Sequence, residues 1–207
     1  MAPVVGIQRF LTGLHFIQFD HWALRWLYFA GGLSGCLMIA TGLLFWSSAR
    51  RARHLRQGRS GARLVDALSV ASGTGLVVAT LGFFIANRLL PAGGAIDGPQ
   101  RAVLEGWAFF LCWALSLAHA VRWPAQAWRH QLQLAAALAV GAVLLNALTT
   151  GDHLLRTLAD GPAAVAGMDL MLLALAGCCL LAAARLRRAQ RTAARPTTEP
   201  AETAQRA

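Results

Sequence analysis

The chain has 207 residues, 57% of them hydrophobic and only 14% charged, and its mean hydropathy of +0.50 lies outside the usual range of soluble globular domains of this length. A net charge of +10 suggests nucleic acid, but the basic residues stand between apolar runs rather than on one polar face, which excludes a nucleic-acid binder and marks them as membrane topology signals. All 19 basic residues are Arg, and Cys36, Cys112, Cys178 and Cys179 fall inside apolar runs, so none is spaced for a disulfide framework or a thiolate metal site.

Residues 1–24 form a periplasmic or interfacial segment that carries His15 and His21 and has neither the basic start, the apolar core nor the cleavage site of a signal peptide. Five segments then reach the length of about 20 mainly apolar residues that crosses a hydrocarbon layer of roughly 30 Å: 25–48, 65–90, 102–122, 130–150 and 163–186. The first is uncharged from Trp26 to Trp46 and is stopped by Arg50, Arg51 and Arg53. The second and fourth carry Ser, Thr, Asn and Gln, so they are expected to face other helices more than lipid. The predicted fold is an all-α integral membrane protein, a bundle of about five transmembrane helices spanning residues 25–190, followed by a disordered cytoplasmic tail over 191–207 rich in Thr, Ala, Pro and Glu.

Orientation follows from the arginines, because short cytoplasmic loops hold the excess of positive charge. Arg50, Arg51, Arg53, Arg56, Arg59 and Arg63 crowd the first connection, Arg122 and Arg129 flank the third, and Arg185, Arg187, Arg188, Arg191 and Arg195 follow the last span. The intervening loops hold Asp97, Asp152 and Asp160. This places the C-terminus in the cytoplasm and the N-terminus in the periplasm of a bacterial inner membrane, with the lipid bilayer as the first partner. An outside start is natural if an earlier span and an external domain precede Met1, so the chain is expected to be the C-terminal part of a longer protein.

Leu14-His15-Phe16, Arg25-Trp26-Leu27-Tyr28-Phe29 and the run Met38 to Trp46, followed by Asn87-Arg88-Leu89-Leu90-Pro91, Leu117-Ala118-His119-Ala120, Asn146-Ala147-Leu148-Thr149-Thr150 and Met168-Asp169-Leu170, resemble the last part of PepSY-associated transmembrane proteins. The sequence departs from that family where the usual Gly-rich stretch after Phe19 reads Asp20-His21-Trp22, and it lacks the upstream spans and PepSY modules. The resemblance implies a haem-binding transmembrane electron-transfer module in ferric-siderophore reduction and iron uptake, with haem b as cofactor and a PepSY-containing half as partner. The alternative is a non-enzymatic membrane scaffold, or a degenerate fragment, beside a separately encoded PepSY half. No loop has room for a nucleotide-binding fold, and no Gly-x-Gly-x-x-Gly opens a helix. Electrons would therefore come from a quinol or another membrane donor.

Histidine is the residue type that could hold haem iron axially, and a bilayer gives little reason to keep an idle polar ring. The sharp expectation pairs His15 with His153 at a periplasmic-side haem and gives His119 to a second haem nearer the cytoplasm. The bland one makes each an interfacial histidine bonded to a carbonyl. His21 is a weaker candidate, and His54 and His130, among arginines, read as solvated or phosphate-facing. Asn87, Arg88, Glu105, Asn146, Arg156 and Asp169 are expected at one height, either as neutralising pairs of Glu105 and Asp169 with Arg88 or Arg156, or with both arginines on haem propionates or an anionic chelate. Gly31-x-x-x-Gly35, Gly32-x-x-x-Cys36-x-x-x-Ala40 and Ser69-x-x-x-Gly73 predict close helix approach, and the seven tryptophans read as an interfacial belt.

Overall fold

The computed structural model describes residues 3–15, 21–57, 61–90, 98–151, 153–159, 161 and 163–193, and among these every regular element is helical. The expected tail beyond residue 193, and the loop residues Asp97, Asp152 and Asp160 on which orientation partly rests, lie outside the described residues. Among the described residues five helices are long and apolar enough to cross a membrane: Trp22–Leu43, Arg63–Leu89, Gly98–Arg122, Ala127–Thr150 and Ala163–Thr192. All five expected spans are present, each within a few residues of its expected position. The chain divides into two compact units, Met1–Gly58 and Arg59–Ala207.

The first unit holds α1 (Pro3–His15) and α2 (Trp22–Gln57). Along α2 the hydroxyls of Ser34 and Thr41 donate to the carbonyls of Ala30 and Leu37 one turn back, both at 2.7 Å, so each polar group is answered by its own helix. Met38, Ile39 and Phe45 are 71, 70 and 76% exposed, a surface that lipid solvates and water does not. The predicted small-residue stripe is here an open one, because a Cβ added at Gly31, Gly32 or Gly35 meets nothing within 4 Å.

The second unit opens on a single rod made of α3 (Gly61–Val70), a π-helical turn (Ala71–Gly75) and α4 (Leu76–Leu89). It continues with α5 (Gly98–Arg122), α6 (Ala127–Thr150), the short α7 (Leu154–Ala159) and α8 (Ala163–Ala193). The most extensive pairing is α6 with α8, followed by α4 with α5 and with α6, whereas the consecutive helices α5 and α6 touch little. Alanine explains the first. Ala135, Ala136, Ala139 and Ala142 line one face of α6 and meet Leu172, Ala176 and Cys179 of α8 in one buried core, the small-residue packing that brings helices together where lipid tails supply no hydrophobic drive. Gly151 ends α6 at φ 74°, a left-handed cap that glycine adopts without a Cβ penalty.

α4 and α5 pack tightly at Gly82, where an added Cβ would stand 2.6 Å from Cys112 Sγ. Gly82→Ala is therefore expected to destabilise the purified protein by about 1–3 kcal/mol through overpacking, and a further Cys112→Ala should recover most of that loss in thermal melts. Equal melting of Gly82→Ala and the parent would contradict this contact.

Candidate functional site

Two groups of polar side chains sit at opposite ends of α4 within the second unit. The first forms around the π turn. Such a turn widens the helix by one residue and disturbs the regular backbone ladder, and here side chains from two neighbouring helices take up the slack. Trp113 Nε1 donates to the Ala71 carbonyl at 3.0 Å. The Thr74 hydroxyl donates to Gln131 Oε1 at 2.8 Å, with the Val70 carbonyl a longer alternative at 3.2 Å. Gln131 Nε2 in turn donates to the Ser116 carbonyl at 2.7 Å. Thr74, Ser116 and Gln131 are all buried. The bonding fixes which way the Gln131 amide points, since only the oxygen can accept and only the nitrogen can donate.

Pro124 lies in the connection formed by residues 123–126 between α5 and α6. His119 stands one turn before it and His130 one turn after, so the hairpin brings the two rings to the same height. His130 Nδ1 and His119 Nε2 are 3.4 Å apart, and Arg129 Nη2 lies 3.3 Å from His130 Nε2. Arginine can only donate. In the neutral pair His130 Nε2 must then accept, His130 Nδ1–H donates to His119 Nε2, and the His119 proton falls on Nδ1. That nitrogen is buried with no hydrogen-bond partner among the described residues, and an orphaned buried donor costs roughly 1–3 kcal/mol. Trp123 packs against the His119 ring at 5.2 Å between centroids.

Both histidines border a cavity of about 380 Å³ between α5 and α6, walled by Val78, Cys112, Leu115, Leu134 and Leu138. This volume is within the range of small-molecule sites, roughly 300–1,000 Å³. The expectation that His130 faces solvent or phosphate is corrected: it is half-buried and seated on His119. The tryptophans need a similar correction. Trp107 is exposed as a belt residue should be, but Trp113 is bonded into the π turn and Trp128 lies 3.2 Å from where a Gly73 Cβ would stand.

The second group lies where α4 ends. Arg101 Nε pairs with Glu105 Oε1 at 3.0 Å, one turn along α5, and its Nη2 donates to the Asn87 carbonyl. Asn87 Nδ2 also donates to Glu105 Oε1, at 2.9 Å. Glu105 is thus neutralised by Arg101 and not by Arg88 or Arg156, because an i, i+4 neighbour on the same helix reaches it first. Arg88 Nη2 donates to Asn146 Oδ1 at 2.9 Å. Asn87, Arg88, Asn146 and Asp169 then line a cavity of about 370 Å³ closed by Phe84, Ala142, Val165, Met168 and Leu172. Of the six residues expected at one height, Asn87, Arg88, Asn146 and Asp169 line this cavity and Glu105 is bonded to Asn87, while Arg156 is not among them.

The remaining candidates are not gathered at either place. His153 is exposed, and its Nδ1 accepts from the Arg156 backbone N–H at 3.2 Å, an N-terminal cap on α7. Arg156 is exposed, and its Nη1 lies 4.0 Å from the Cβ position of Gly151. His21 is exposed, and the side chains of His15 and His54 lie outside the described residues.

Nitrogen-15 NMR of the histidines at a pH where both rings are neutral should find the proton on Nδ1 in both His119 and His130. Nε2–H on either ring would contradict the Arg129 to His130 to His119 chain of donors.

No curated protein and no solved structure matches the chain. Residues 3–49, which comprise α1 and most of α2, match the family model of the PepSY-associated TM region, so the N-terminal part of this multi-pass membrane protein is similar to that family.

Proposed function

We propose that the chain is a haem-binding electron-transfer module of a PepSY-type protein in the bacterial inner membrane, serving ferric-siderophore reduction. The observation that carries this reading is the pair of imidazoles, His119 from α5 and His130 from α6, at one end of an apolar slot between two helices that otherwise touch little. The residues fit haem b in kind: imidazole is a haem-iron donor, the walls are aliphatic, and His119 would offer iron its unprotonated Nε2 once the hydrogen bond from His130 is given up. Haem, when bound, supplies reversible one-electron chemistry at iron.

The protein's own part is to hold the rings and keep the slot dry. Gln131, adjacent to His130, and Ser116, one turn before His119, are bonded to each other, which fixes α5 against α6 at this height. Trp123 packs beside His119. A second haem at the other end of the second unit would draw on His153 through Nε2, which its capping role leaves unused, and on Arg156 for propionates. The arginine-rich connections support an orientation with the His119 end toward the cytoplasm, and the match over residues 3–49 supports the PepSY association.

The test is the visible spectrum of the full chain, expressed with ample haem and purified. A Soret band that sharpens and shifts on dithionite is expected. His119→Ala and His130→Ala should each lower and shift the Soret band, while His21→Ala leaves it intact. A colourless parent protein, or a spectrum indifferent to both substitutions, would overturn the reading.

A further inference from the structure

The Arg88 end of the second unit carries a polar cavity that the haem reading at His119 does not use. Asp169 is only 3% exposed, and among the described residues no hydrogen bond or ion pair reaches its carboxylate, although that carboxylate lines the cavity. A buried carboxyl group without a hydrogen-bond partner is costly enough that a structure rarely keeps one idle. The other three polar walls are already aimed. Asn146 holds the Arg88 guanidinium, and Glu105 holds the Asn87 amide. Glu105 and Arg101 neutralise each other outside the cavity, so the charges that line it are Arg88 and Asp169, which sum to zero. A net anion and a net cation are thus equally disfavoured as occupants.

Depth and wall chemistry narrow the occupant further. Asp169 lies six residues inside α8, about 9 Å along the axis at 1.5 Å per residue, so the cavity reaches past the first turn of that helix. Phe84, Ala142, Val165 and Leu172 supply an apolar floor, while Ala164 and Met168, both exposed, form a rim on the surface of the unit. A neutral amphiphile is required, with a hydroxyl to donate to Asp169, an oxygen to accept from Arg88, a flat apolar ring between them and solubility in the bilayer. We propose that this cavity binds the headgroup of a membrane quinol, with Asp169 accepting from one ring hydroxyl and Arg88 donating to an oxygen of the same ring. The inference stands on the Arg88 end alone and does not require haem at His119.

The probe is decylubiquinol, titrated anaerobically by calorimetry into the full chain in nanodiscs of phosphatidylcholine. Saturable binding at one site is expected. Asp169→Asn, which keeps the shape and removes the charge, should weaken it at least about tenfold. Ala164→Phe, which narrows the mouth and leaves all four polar groups in place, should weaken it comparably, and this second variant serves if Asp169→Asn does not fold. The absence of saturable binding, or unchanged affinity in both variants, would overturn the proposal. Equal competition by decanol would assign the binding to the alkyl tail, and displacement by phosphatidylethanolamine in the nanodisc would assign the cavity to a lipid headgroup. Either result also overturns it.

Discussion

Inside a hydrocarbon layer a polar group has no water to fall back on, so each donor and acceptor in these helices must find its answer in the protein. Gln131 is where that constraint is met most fully in this chain. Its side-chain amide accepts from Thr74 on the π turn and donates to the Ser116 carbonyl on α5, joining three helices through one residue that is 2% exposed. The π turn depends on this arrangement, and so does the meeting of α5 and α6 beside it. Without Gln131, Thr74 would lose one of its two acceptors and the Ser116 carbonyl its side-chain donor, next to the two histidines that give this end of the unit its chemistry.

The five spans were legible because a membrane helix is written locally, as an apolar run of sufficient length bounded by charge or turn residues. Burial of the polar residues in the second and fourth spans was legible for a related reason: Ser69, Thr74, Gln131 and Asn146 are all buried, as expected of groups that lipid cannot solvate. The hydroxyls on exposed faces took the other route, and Thr80 and Thr149 bond to carbonyls of their own helix. Small-residue stripes were a poorer guide. Ser69 is buried and Gly73 abuts Trp128, whereas within the first unit nothing meets the stripe in α2, because small size permits close approach without specifying a partner.

The sites were legible only in part. The polar group at the Arg88 end was foreseen as a group, since its members sit at helix ends that alternate along the chain, but its pairing was not. Arg101 had been passed over, and it takes Glu105 simply by standing four residues away on the same helix. His130 was misread because the arginine beside it in sequence suggested solvent. The signal that could have found it was the symmetry of the turn, with one histidine a turn before Trp123-Pro124 and another a turn after. Trp128 departs from the belt reading for the converse reason, because indole at a span's end suits both the membrane interface and a helix contact.

The importance of the Gln131 bridge can be measured with a double-mutant cycle of Thr74→Val and Gln131→Leu, with unfolding followed in a lipid-like environment. If the bridge holds the π turn to α6, the two losses should be less than additive, with a coupling of roughly 0.6–1.7 kcal/mol, the scale found for side-chain hydrogen bonds between membrane helices. Strict additivity would mean that the two side chains do not bond, and the organisation described for this end of the unit would then be wrong.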